Sequence, residues 1–281
     1  MSYASKTQKN YLFKRILIIL ILIFFASLVL YPMFWVVSSS LKTNNEFLSD
    51  PLGLPDKLMF QNYSEAWAQG LSKYFINSIF INIVSVIITV SIGSACAYGL
   101  ARFNFKGKTF IFYGILAGLL LSPQVAVLPL YKLLVTFNLY DTYWALILPY
   151  VGFRLPFAIF LMRSYFLSIP KEIEESAYID GCNSFMTFIK IILPISKPII
   201  ASAAIVTSRF FWNEFLFALI FIESKSKYTI PIGLSNFRDT LTTNYTAMLA
   251  GITIAALPMI ILFIIMQKQF IKGLTAGSVK G

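Results

Sequence analysis

Apolar residues run almost unbroken from Ile16 to Val37. Runs of the same kind recur at Phe75–Leu100, Thr109–Val135, Tyr143–Met162, Ile199–Ile222 and Ala247–Met266. Each is about 20 residues or longer, enough for a helix to cross the hydrocarbon of a bilayer. The pattern predicts an all-α integral membrane protein with six transmembrane helices. The first run follows Lys6, Lys9, Lys14 and Arg15. It is too long for a signal-peptide core and no small-x-small cleavage site follows, so a retained helix is expected. Pro123 and Pro129 predict a kink or break in the third run. No repeat is visible at the level of residue identity, and residues 1–281 read as one transmembrane domain.

Between the fourth and fifth runs the pattern changes. The Arg163–Pro198 segment holds Glu172, Glu174, Glu175 and Asp180, a third of the chain's 12 acidic residues. "SIPKEIEESAYIDG" predicts a short helix, with Pro170 in its first turn and Glu172, Glu174 and Glu175 at the positive end of the dipole. Gly181 suits the left-handed residue that ends it. A second helix is expected from about Ser184, broken at Pro194 and Pro198. Ile173 and Ala177 share a face at i, i+4, and the small Ser176 and Ala177 allow close approach by a partner backbone. Such a helix fits a groove in another protein. A place on the membrane surface is disfavoured, because anionic lipid repels an acidic helix.

Composition supports the membrane reading: 58% of the 281 residues are hydrophobic and 12% charged, with a mean hydropathy of +0.75, against about 25% charged in soluble domains. There is no histidine, and the two cysteines, Cys96 and Cys182, stand apart. This leaves no metal-ligand spacing, no disulfide framework and little to build an enzyme from. The net charge of +11 sits at the ends of the apolar runs and not on a soluble basic patch, which argues against nucleic acid. Lys and Arg are richer before the first run, around Arg102–Lys108, in the acidic segment and in the tail. By the positive-inside rule both termini and the acidic segment are cytoplasmic. "KGKT" at 106–109 has Arg102 where a phosphate-binding loop needs glycine, so it reads as a short basic loop, and no nucleotide site is expected.

Charges within the runs are informative because one near the bilayer centre costs about 2.5–3.5 kcal/mol. Arg154, Arg209 and Glu214 are expected to face the bundle interior or water. Arg209, Asn213 and Glu214 are candidates for a translocation path, with bonding to a partner helix as the alternative for Asn213 and Glu214. Glu214 is also the one acid a proton- or sodium-coupled carrier could use, the competing reading of function. On the opposite side, Pro51, Gly53 and Pro55 mark turns, and "TIPIGLSNF" suggests a structured loop.

The acidic segment resembles the "EAA" loop of permease subunits in ATP-binding-cassette importers: E-A-A, three residues, a Gly, nine more residues, then I-x-L-P. Here these are Glu175, Ser176, Ala177, then Asp180 and Gly181, then Ile191, Leu193 and Pro194. Ser176 replaces the middle alanine. "YPMFWVVSSSLKTNNE", "WNEFLFALI", "YTIPIGL" and "FIKGLTAGSVKG" extend the similarity toward the carbohydrate-uptake branch and its maltose-type inner-membrane subunit. The resemblance implies the type I importer permease fold, with a coupling helix between the fourth and fifth spans. It implies a non-catalytic subunit working with a second permease, two ATPase subunits that bind ATP and Mg, and an extracytoplasmic sugar-binding protein. Glu172 and Glu175 through Gly181 would seat in the ATPase, with Glu175 in a charged contact. Thr229, Pro231 and Gly233 would lie in a loop facing the binding protein, and the tail after Gly273 would reach the ATPase.

Overall fold

The computed structural model describes residues 2–235 and 244–275, with side chains over 14–235 and 244–268. The chain gathers into two compact units, residues 2–69 with 244–255 and residues 70–235 with 256–275. Among the described residues there are fourteen α-helical segments. The long ones are α1 (Ser2–Ser40), α4 (Ser72–Arg102), α7 (Trp144–Ser168), α11 (Lys197–Asn213) and α14 (Tyr245–Thr275). Shorter ones are α2 (Asn44–Ser49), α3 (Gln61–Ala66), α5 (Lys108–Ala117), α6 (Pro123–Thr136), α8 (Glu172–Ile179), α9 (Ser184–Thr187), α10 (Leu193–Ile195), α12 (Leu216–Phe221) and α13 (Ile230–Ser235). Among the described residues four helices are long and apolar enough to cross a membrane, and two bent pairs raise the number to six if each pair is one span.

The third apolar run is one of those pairs. Its limbs α5 and α6 meet at 101°, and Pro123 opens the second limb at a position where a missing N–H costs nothing. The fifth run departs from expectation. The helix does not continue from Ile199 to Ile222 but stops at Asn213 and restarts at Leu216. Ser184–Ile195 and Lys197–Asn213 form the second bent pair, at 77°.

In the first unit, every residue of α1 from Ile16 to Tyr31 is exposed. The chain then turns inward through Ser38–Lys42. Asn62 donates to the carbonyls of Ser40 and Lys42, both at 2.8 Å. The fully buried Lys42 ammonium donates to the Asp50 carbonyl at 2.6 Å. Thr43 and Glu46 form a reciprocal capping box on α2.

In the second unit, α4 packs along α7, and α11 lies against both. Gly93 permits the approach of α4 to α7, since a Cβ there would sit 2.9 Å from the Met162 methyl. Asn82 and Ser208 tie α4 to α11 by reciprocal bonds at 2.9 Å. Without water in the bilayer, such polar side chains must find partners inside the protein. Two apolar clusters result. One surrounds Tyr150, Phe211, Phe217 and Phe221; the other surrounds Tyr98, Met162, Phe166 and Ile192.

Asp141 pins the loop before α7 to residues 223–227. Its carboxylate accepts from the backbone N–H of Glu223 and Ser224 at 3.0 Å, and it pairs with Lys227 at 2.8 Å. Burial pushes this carboxyl up, but Lys227, the Ser224 hydroxyl and the two N–H groups outweigh it and hold it well below the usual carboxylate range.

Candidate functional site: the acidic helix and the broken fifth span

Helix α8 starts after Lys171, with Glu172, Glu174 and Glu175 in its first turn, where they oppose the positive end of the dipole. It ends as the sequence requires. Gly181 takes φ +82°, its N–H donates to the Tyr178 carbonyl, and the Cys182 N–H donates to the Ala177 carbonyl at 2.9 Å. This is the paired hydrogen-bond pattern of a left-handed helix cap. Asn183 then caps α9 by accepting from the Met186 N–H at 2.8 Å.

The three glutamates point in different directions. Glu174 is 6% exposed, whereas Glu172 and Glu175 are open to solvent. Glu174 forms a buried ion pair with Arg102, the last residue of α4, and accepts from the Tyr98 hydroxyl at 3.2 Å. Arg102 also donates to the Ile169 carbonyl at 2.9 Å, and Tyr98 stacks on Phe188 with ring centroids 4.9 Å apart. The α8 helix is thus fastened to the end of α4 and to the segment after α7.

Ala177 corrects the expected orientation. It is 3% exposed and faces inward with Ile173 and Glu174, so its small size serves packing within the chain. The outward face carries Glu172, Glu175, Ser176, Ile179 and Asp180. The Ser176 hydroxyl bonds back to the Glu172 carbonyl at 2.8 Å, which leaves a small surface close to that of alanine. Ile179 in α8 is 86% exposed, and Phe185 in α9 is 70% exposed. No motif in the sequence marks these two residues, Arg102 or Tyr98 as parts of the site. Ile191 is half-buried and Pro194 exposed, while Leu193 packs on the second apolar cluster.

Glu214 sits in the gap between α11 and α12 and is 9% exposed. One oxygen accepts from the Phe217 N–H at 2.8 Å; the other accepts from the Tyr150 hydroxyl at 2.8 Å and the Ala218 N–H at 3.3 Å. The carboxylate takes the bonds that a continuous helix would supply and is committed to structure. It faces the interior, as expected. Arg154 is half-buried, its guanidinium 3.6 Å from the centroid of Phe210. Arg209 does not face the interior of this chain: it is exposed, on the same helix face as exposed Asn213, whose amide donates to the Arg209 carbonyl at 2.7 Å.

Thr229 and Gly233 also correct the expectation of outward contacts. Thr229 is 4% exposed, and Gly233 lies so near Tyr74 that a Cβ would come within 2.1 Å of the ring. Only Pro231 of the three keeps partial exposure. Tail residues 276–281 lie outside the described residues.

Residues 89–275 match the family described as the binding-protein-dependent transport system inner membrane component. The chain belongs to this family. It is 50% identical over 251 residues to the probable ABC transporter permease protein YurM of Bacillus subtilis, covering 89% of this chain and 84% of that one. It is 38% identical over 272 residues to the arabinooligosaccharides transport system permease protein AraQ of the same organism, covering 95% and 96%. The diacetylchitobiose uptake system permease protein NgcG of Streptomyces coelicolor is 34% identical over 261 residues, covering 92% and 86%. A crystal structure of a bacterial ABC transporter that imports the acidic polysaccharide alginate superposes with a TM-score of 0.78 at 23% identity, covering 93% of this chain and 98% of the other. This permease is therefore an importer subunit of the ABC type. An ion-coupled carrier finds no support, and the committed carboxylate of Glu214 agrees.

Proposed function

We propose that this permease moves a sugar or oligosaccharide across the plasma membrane with a second permease, two ATP-binding subunits and an extracytoplasmic binding protein. The termini and α8 lie on the cytoplasmic side, where basic residues are densest. The relatives named for arabinooligosaccharide and diacetylchitobiose transport support a saccharide cargo, and a related transporter was solved with its periplasmic protein bound.

The two-sided α8 carries the mechanism. Its outer face, with Glu172, Glu175 and exposed Ile179, seats in a cleft of the ATPase. Its inner face, through Glu174 and Arg102, is fastened to α4. ATP can bias the permease only through free energy that differs between inward- and outward-facing states. A helix bonded to a span moves with it as one body and transmits that difference.

In the reconstituted transporter, Glu175→Lys should lower sugar uptake and sugar-stimulated ATP hydrolysis together by about tenfold, since an exposed acid turned basic opposes a cationic cleft. Wild-type uptake in that variant would remove α8 from the coupling role.

A further inference from the structure

We infer that Lys108 and Arg163 hold the phosphate of an anionic phospholipid, one of whose acyl chains lies in an apolar cavity at the elbow of the third apolar run. The inference goes beyond the importer reading and needs only a chain that spans the membrane.

The elbow is where α5 and α6 meet at 101°. With α6 and α7 it borders a cavity of about 450 Å³, lined among others by Gly118, Leu121, Leu130, Leu148, Gly152 and Phe153. That lining is hydrocarbon, and such a cavity stays dry and takes an apolar guest.

The cations lie further along the same two helices. Lys108 opens α5, and Phe112, one turn on, shares its face. The Arg163 guanidinium, from α7, lies 4.0 Å from the centroid of the Phe112 ring. One aromatic ring thus brings the two cations together, and both are half-buried. Arg163 Nε donates to the Leu100 carbonyl at 3.2 Å, which fixes the guanidinium and leaves its terminal nitrogens for an anion. Among the described residues neither cation has a carboxylate partner: the ion pairs there are Arg102–Glu174 and Lys227–Asp141. The paired donors of an arginine match a phosphate, and basic sites between spans hold anionic headgroups.

Distance joins the two parts. Lys108 precedes Gly118 by ten residues, and Arg163 follows Phe153 by ten. Along either helix the cations therefore stand about 15 Å from the cavity. That is the depth of one acyl layer, half of a hydrocarbon core about 30 Å thick. A free phosphate ion would use the cations and leave the cavity empty, whereas a phospholipid uses both. Phe110, Ile111 and Tyr113 are exposed on α5 just after Lys108, an apolar surface of the kind that meets lipid chains.

The test uses the assembled transporter in phosphatidylcholine nanodiscs. These are doped with phosphatidylglycerol or phosphatidylcholine carrying a diazirine at the end of one acyl chain. On irradiation the phosphatidylglycerol probe should label cavity residues about tenfold more than the phosphatidylcholine probe, the worth of one charge-assisted hydrogen bond. Lys108→Gln and Arg163→Gln should each remove most of that preference, and Arg163→Lys should keep most of it. Gly152→Leu fills the cavity from a position where a Cβ meets nothing within 4 Å, and it should lower labelling by both probes about fivefold, as expected when the chain is displaced. Equal labelling by the two probes would overturn the inference, and so would label that falls outside the cavity. Loss of the preference on adding inorganic phosphate would make the cations a site for the free ion and overturn it too. So would cavity residues that take neither probe while Gly152→Cys cross-links to the second permease, since that subunit would then fill the cavity. If Arg163→Gln does not assemble, Lys108→Gln and Gly152→Leu decide the matter by the same outcomes.

Discussion

Arg102→Leu should destabilise the permease by about 3–5 kcal/mol, the cost of leaving one member of a buried ion pair uncompensated. The side chains of Arg102 and Glu174 are only 7% and 8% exposed, so water cannot take over the lost interaction. The substitution also frees the Ile169 carbonyl and, among the described residues, leaves Tyr98 as the one remaining side-chain partner of the Glu174 carboxylate. Thermal unfolding of the assembled transporter measures the effect. Arg102→Met combined with Glu174→Leu should recover most of the stability, because apolar side chains of similar volume commonly replace a buried pair at little cost. If the pair fastens the coupling helix to α4, the double variant should assemble yet hydrolyse more ATP for each sugar moved. An unchanged ratio would leave Arg102 and Glu174 with a role in packing alone.

The second large effect is expected at Glu214. Glu214→Ala removes the acceptor for the buried Tyr150 hydroxyl and for two N–H groups at the start of α12. Together these losses amount to about 2–4 kcal/mol. Glu214→Gln keeps one oxygen for the Phe217 N–H and offers an amide that the Tyr150 hydroxyl can turn to meet. It should therefore retain most of the stability and most of the uptake. The contrast separates two roles that a single alanine variant would confuse. A carboxylate that carried a proton or a sodium ion would lose transport on conversion to glutamine, whereas one that bridges a broken helix would not.

Much of this organisation was legible in the sequence. The six apolar runs each meet helical structure, and Pro123 marks the break in the third. Gly181 ends α8 through the conformation its missing side chain allows. The break in the fifth run was not legible, because no proline or glycine marks it. The apolar residues continue through Phe215, and a carboxylate two positions before the start of the short helix does the work of the absent backbone bonds.

The faces of α8 were only half legible. Glu174 and Glu175 are adjacent, about 100° apart on the helix, and the motif singles out Glu175. That its neighbour turns inward depends on Arg102, far away in the chain, which the sequence alone presented as a residue in a basic loop. Ala177 suggested a partner because it is small, but small residues serve packing within a chain just as well. An acid on the same face as Ile173 and Ala177 was the available clue that a buried cation lay opposite.

Cysteine cross-linking along α8 tests most directly whether its outer face is the handle that the ATPase grips. Cys96 and Cys182 are first replaced by serine, since both are free thiols. Ser176→Cys and Ile179→Cys, on the outer face, should then each capture the ATP-binding subunit, with a yield that changes when ATP is added. Ala177→Cys, turned inward, should capture little. Capture from the inward position alone, or no capture from Ser176 and Ile179 in any nucleotide state, would contradict a coupling role for this helix.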